Sequence, residues 1–188
     1  MRHRDPDANE RLTAVAAVPL FVLLAVEGVT LLFLRPLISV HVFVGLVLVL
    51  PVIVKIGTTG WRFLHYYRGD EEYVRRGPPR PLLRLLAPLL VVTSPSVLAS
   101  GIALVFTNWH RGLLLNAHKA SFVLWAPAFG VHVLAYVWRV PQLVLAASRL
   151  QRAAVAGVVV VASLLAIVGY VDGHPTLQPF FDGDADAF

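Results

Sequence analysis

Residues 115–139 read LNAHKASFVLWAPAFGVHVLAYVWR, an apolar run that carries two histidines, His118 and His132, fourteen residues apart. About 20 apolar residues suffice for a helix to cross the ~30 Å hydrocarbon core of a bilayer. Fourteen residues turn a helix through about 1400°, roughly 40° short of four turns, and rise about 21 Å. Both imidazoles therefore lie on one face of one membrane helix, at two depths. Ionisable groups inside a span are costly and usually mark a site.

The composition extends this reading to the whole chain. Of 188 residues, 57% are hydrophobic and 14% charged, with a mean hydropathy of +0.73. A soluble domain of this length has too little interior for that much apolar surface, so an integral membrane protein in a lipid bilayer is expected. The chain has no cysteine. Disulfides, thiolate metal sites, cysteine-ligated iron–sulfur clusters and C-x-x-C-H haem attachment are thereby excluded. The only methionine is Met1, which leaves histidine as the main metal ligand. A sequence pI near 10.1 would fit nucleic acid, but the arginines sit in short segments between apolar runs, as membrane flanks do, so no nucleic-acid partner is expected.

Five runs are long enough to span: 12–34, 37–63, 82–106, 113–138 and 153–171, with an Arg35-Pro36 turn between the first two. The first is too long for a signal-peptide core and lacks a small-residue cleavage site, so it is read as retained. Prolines 19, 51, 88, 95 and 127 kink these helices rather than end them, because neighbours in a bundle re-satisfy the freed carbonyls. Residues 1–11 form an N-terminal tail, and 172–188 read as a flexible acidic tail. With five spans, one side holds Arg2, Arg4, Arg11, Arg62, Arg68, Arg75, Arg76, Arg80, Arg84, Arg139, Arg149 and Arg152, and the other only Arg35, Arg111 and Lys119. The positive-inside rule then places the N-terminus in the cytoplasm and the C-terminus outside, in a multi-pass protein of the plasma membrane.

Helices two and four run in the same direction. His41 opens helix two as His118 opens helix four, so both lie near the outer face. Lys55 stands fourteen residues after His41, at the depth of His132. Two facing pairs result, His41/His118 and Lys55/His132, and helix-borne ligands on facing helices are how bundles build metal sites. A neutral imidazole on each side of iron gives a six-coordinate haem suited to electron transfer. The inner pair stays open: Lys55 could ligate iron as a neutral amine, pair with a propionate, line a quinone pocket, or snorkel to the surface.

Gly45, Gly101 and Gly130 could let a flat macrocycle approach backbone, or could serve ordinary helix packing. Arg111 and Lys119 could neutralise propionates or simply flank the membrane. Glu27 reads as a hydrogen-bonded structural acid or a proton or quinone contact. His3, His65, His110 and His174 read as rim or tail residues rather than ligands. Trp61, Trp109, Trp125 and Trp138 read as interfacial belts.

The stretches HVFVGLVLVLP (41–51), WRFLHYYRGDEEYVRRGPPRPLLRLLAP (61–88) and the helix-four sequence resemble small actinobacterial membrane proteins related to cytochrome b561 and b-type cytochrome subunits. The resemblance covers about residues 37–140. It implies an all-α integral membrane protein of five transmembrane helices, with a four-helix haem-binding bundle (helices one to four) plus one extra helix. It also implies haem b held by His41, His118 and His132, with Lys55 departing from the pattern. The expected function is that of a b-type cytochrome relaying electrons, through a bis-histidine haem near the outer face, between a quinone pool and a partner such as an extracytoplasmic oxidoreductase. It would be an electron-transfer subunit rather than a stand-alone enzyme, carrying one haem and leaving a second open. A haem-free scaffold that kept the fold is the main alternative. A proton-coupled transporter is the other, disfavoured by the absence of an inverted repeat.

Overall fold

The computed structural model describes residues 6–77, 81–107 and 111–181. These form α1 (Pro6–Leu32), α2 (Leu34–Tyr67), the short α3 (Glu71–Val74), α4 (Pro81–Phe106), α5 (Arg111–Tyr136), a 3-10 turn (Val137–Arg139), α6 (Val140–Leu145) and α7 (Arg149–Phe181). Five helices are long and apolar enough to cross a membrane. The helices continue through Pro19, Pro51, Pro88, Pro95 and Pro127, as expected for a bundle.

α1 and α2 form an antiparallel hairpin about a single non-helical residue. Phe33 adopts φ −132° and ψ 49°, its N–H bonds Thr30 O at 3.2 Å, and its own carbonyl accepts Leu37 N–H at 3.1 Å. The turn therefore precedes Arg35-Pro36, which falls inside the first turn of α2. Proline is tolerated there because a first-turn N–H has no intrahelical partner to lose. Three cross-helix contacts fix the register: Glu27 to His41, Thr13 to Lys55 and Asn9 to Thr58. Each is centred within half a residue of position 34.

The fifth spanning helix is not an appendage. α7 packs against α1, α2 and α4, whereas α5 packs chiefly on α4 and forms no extensive interface with α1, α2 or α7. The expected core of helices one to four is thus replaced by one in which α7 is central. The reason is a small-residue stripe, Ala162, Ala166, Gly169 and Gly173, that lets neighbouring backbones approach. Ala162 and Ala166 bury Val47 of α2. Gly173 lies so close to α4 that a Cβ there would come within 2.3 Å of Val105 Cγ1. The helix also runs further than the expected span. The segment from Asp172, expected to be loose, stays helical to Phe181, with Leu177 buried against Val105 beside Ile38 and Val42. Residues 182–188 of the expected tail lie outside the described residues.

α2 has 34 residues, roughly 51 Å of helix, more than the hydrocarbon needs. Its last turns form a small core beyond the expected span. His65, read from sequence as a rim residue, is 2% exposed. Its Nδ1 bonds the Asp70 carboxylate, and its ring packs against Trp61 at 4.3 Å and stacks on Tyr73 at 5.3 Å. Gly69, at φ +81°, supplies the left-handed residue that ends α2 and turns the chain into α3. Arg76 then ties this segment to Asp7 and Glu10 of α1.

Candidate functional site

His41 is the eighth residue of α2 and His118 the eighth of α5, and these helices run in the same direction. Their side chains consequently meet at one depth, with ring centroids 6.3 Å apart and planes at 85°. The backbones of α2 and α5 do not pack closely here, so the two imidazoles bridge a gap between helices.

Each ring is fixed through Nδ1. His41 Nδ1 donates to Glu27 Oε2 at 2.6 Å, with Thr30 Oγ 3.1 Å away. Thr30 Oγ in turn lies 2.9 Å from Glu27 Oε2 and 2.7 Å from Glu27 O. On the facing helix, His118 Nδ1 donates to Val97 O at 2.9 Å, with Ser100 Oγ at 3.2 Å. Placing the proton on Nδ1 leaves Nε2 of both rings as the lone-pair nitrogen. That tautomer, held by a carboxylate or a backbone carbonyl, is the arrangement that orients metal-binding histidines.

The separation fits one metal between the rings. A metal–imidazole bond is about 2.0–2.1 Å and a ring nitrogen lies roughly 1.15 Å from its centroid, so two imidazoles on opposite sides of one metal have centroids about 6.3–6.5 Å apart. Rotation about each bond leaves the interplanar angle free, so 85° is compatible. Among the described residues no group of three or more His, Asp or Glu side chains gathers to hold a bare ion. Two imidazole donors alone would suit only a metal whose other ligands came from elsewhere, such as a macrocycle.

The remaining expected site residues are placed as follows. Gly101 of α4 faces His118: a Cβ there would stand 3.2 Å from His118 Cε1. Gly45 instead faces Glu27, with Oε1 3.4 Å from a notional Cβ, so it makes room for the acid rather than for a ring. Gly130 has open space beside it. Arg111 donates from Nη2 to Thr176 O at 2.9 Å and Leu104 O at 3.3 Å, which ties the ends of α4 and α7 together. Lys119 is exposed, with no polar partner among the described residues.

Lys55 and His132 are each the twenty-second residue of their helices and so share a depth, yet they do not form a matching pair. Lys55 Nζ turns to α1 and donates to Thr13 O at 2.9 Å. His132 lies within electrostatic range of Lys55, and its ring sits 5.0 Å from that of Tyr136. His174 is exposed on α7, while His3, His110 and Trp109 lie outside the described residues. Trp125 donates from Nε1 to Ser94 Oγ at 2.9 Å, and so joins α5 to α4 rather than sitting free in a belt. An open apolar groove of about 430 Å³, lined by Val15, Pro19, Val155 and Val159 among others, lies between α1 and α7 away from the histidines.

Sequence reasoning took Glu27 as a hydrogen-bonded structural acid, as the structure has it, but did not pair it with His41. The usable signal was its distance of seven residues before position 34, equal to that of His41 after it, but this counts only once the hairpin register is known. No protein family, curated protein or solved structure matches the chain.

Proposed function

We propose that the chain is a membrane b-type cytochrome that relays electrons through one haem held between His41 and His118. The observation that carries this reading is the pair of rings 6.3 Å apart, each anchored through Nδ1 with Nε2 left to bind. A haem held there by His41 and His118 would supply a one-electron couple, which suits electron transfer rather than substrate activation. The chain's own residues perform the rest. Glu27 and Thr30 hold the His41 ring, Val97 O holds the His118 ring, and Gly101 leaves the space in which His118 stands. The apolar surfaces of α2 and α5 keep water from the site, and lipid surrounds the bundle.

The arginine bias supports an N-terminus in the cytoplasm of a plasma-membrane protein, with the His41/His118 end facing outside. A quinone or an extracytoplasmic redox protein is then the natural exchange partner. Lys55, bonded to Thr13 O, does not complete a second ligand pair with His132, so the proposal takes one haem per chain.

The test is to purify the chain from haem-supplied cells into nanodiscs and mix it with a quinol analogue, following the reduced α-band, then add a soluble oxidant. Stoichiometric haem that is reduced and reoxidised supports the relay. A folded chain without b-type bands, or a haem that exchanges electrons with neither reagent, overturns it.

A further inference from the structure

Glu27 is a buried acid without a cation. It is 8% exposed within α1, and the ionisable group bonded to it is His41. A carboxylate in an apolar span is costly unless its charge is met. Its Oε2 accepts from His41 Nδ1 and Thr30 Oγ, whereas Oε1 is buried with no hydrogen-bond partner and lies beside Gly45. The opposite ring is held differently, because His118 donates to the uncharged Val97 carbonyl. The two imidazoles therefore differ in what holds them, a side-chain carboxyl group for His41 and a backbone carbonyl for His118.

We infer that Glu27 is a positioning residue that makes His41 the more electron-rich of the two ligands and biases the bound haem toward its ferric state. The inference rests on the reading of His41 and His118 as haem ligands. A carboxylate that accepts Nδ1–H draws that proton toward itself and leaves more negative charge on Nε2, which raises ligand basicity. Charge-assisted hydrogen bonds of this kind are roughly twice as strong as neutral ones. The ferric centre carries one more positive charge than the ferrous, so a buried anion two bonds behind its ligand favours the ferric form. Gly45 and Thr30 serve the same end: one leaves room for the carboxylate and the other directs Oε2 at the ring.

The test is spectroelectrochemical titration of the haem-loaded chain in nanodiscs. Glu27→Gln keeps the size and an acceptor but removes the charge. Each tenfold fall in the preference of the site for ferric over ferrous haem reads as a rise of about 59 mV for one electron, and a shift of about that size is the one sought. The midpoint of Glu27→Gln is expected to rise, with the b-type spectrum retained. Glu27→Asp, which keeps the charge, stays nearer wild type, and Gly157→Ala, with open space beside it on α7, leaves the midpoint in place. A haem-replete Glu27→Gln with an unchanged midpoint overturns the inference and leaves the haem reading standing. Wild-type chain without haem overturns both. If Glu27→Gln fails to fold, Glu27→Leu, which removes the charge without burying an amide, decides: a rise in midpoint supports the inference, and no rise overturns it.

Discussion

Gly101→Ala probes how closely the His118 ring is seated on α4. The added Cβ would lie 3.2 Å from Cε1 and 3.5 Å from Nδ1 of His118. Carbon contacts are most favourable at about 3.5–4.0 Å, so the ring must withdraw by a few tenths of an ångström. It cannot slide along α4, because its Nδ1 is tied to Val97 O at 2.9 Å, so it moves toward α2 and into the gap it shares with His41. Overpacking of this kind costs about 1–3 kcal/mol, while replacing glycine by alanine in a helix gains up to about 1 kcal/mol. The net effect is near neutral to about 2 kcal/mol destabilising. Gly130→Ala on α5 is the internal reference: nothing lies within 4 Å of its Cβ, so only the gain of up to about 1 kcal/mol applies. The two variants are expected to differ by about 1–3 kcal/mol in equilibrium unfolding from mixed micelles followed by helical circular dichroism. Gly101→Ala should also perturb the Soret band, which Gly130→Ala leaves alone. Equal stabilities with identical spectra would refute the placement of His118 against Gly101.

Other perturbations separate the site from its scaffold. Gly173→Ala forces a Cβ to within 2.3 Å of Val105 Cγ1 and 3.1 Å of Val105 O, and should lower stability by about 1–3 kcal/mol, whereas Gly157→Ala, with open space, should not; thermal unfolding in detergent distinguishes them. His65→Ala removes the bond to Asp70 and opens the packing with Trp61 and Tyr73, a local cost of about 2–4 kcal/mol; limited proteolysis near residues 68–77 should accelerate while the haem spectrum is unchanged. Lys55→Met should leave the haem count per chain unaltered in a pyridine haemochrome assay, since Lys55 is bonded to Thr13 O; a fall in the count would make Lys55 a ligand.

Much of the architecture could be read from length and periodicity, because lipid demands about 20 apolar residues per crossing and the five runs meet that demand plainly. The alternation of helix direction was enough to bring His41 and His118 to one depth, and the structure places their rings together. What escaped the sequence depends on contacts between segments. Pro36 drew the expected turn to Arg35-Pro36, yet proline fits a first helical turn, and the break falls at Phe33. That small shift fixes the hairpin register and decides that Glu27 meets His41. Gly45 and Gly101 look alike in sequence, but one accommodates Glu27 and the other His118. The central place of α7 follows from Ala162, Ala166, Gly169 and Gly173, a pattern that gains meaning only when a neighbour approaches it. His65 was hidden for a related reason: its burial is created by α3, which the sequence presents as part of a polar loop.

The most direct test of the account is the haem content of the purified chain and of His41→Ala, His118→Ala and His132→Ala, measured by reduced-minus-oxidised spectra and pyridine haemochrome. The account predicts one haem per wild-type chain, lost in His41→Ala and in His118→Ala and kept in His132→Ala. Folded wild-type protein without b-type bands, or a haem that survives loss of both His41 and His118, would contradict it.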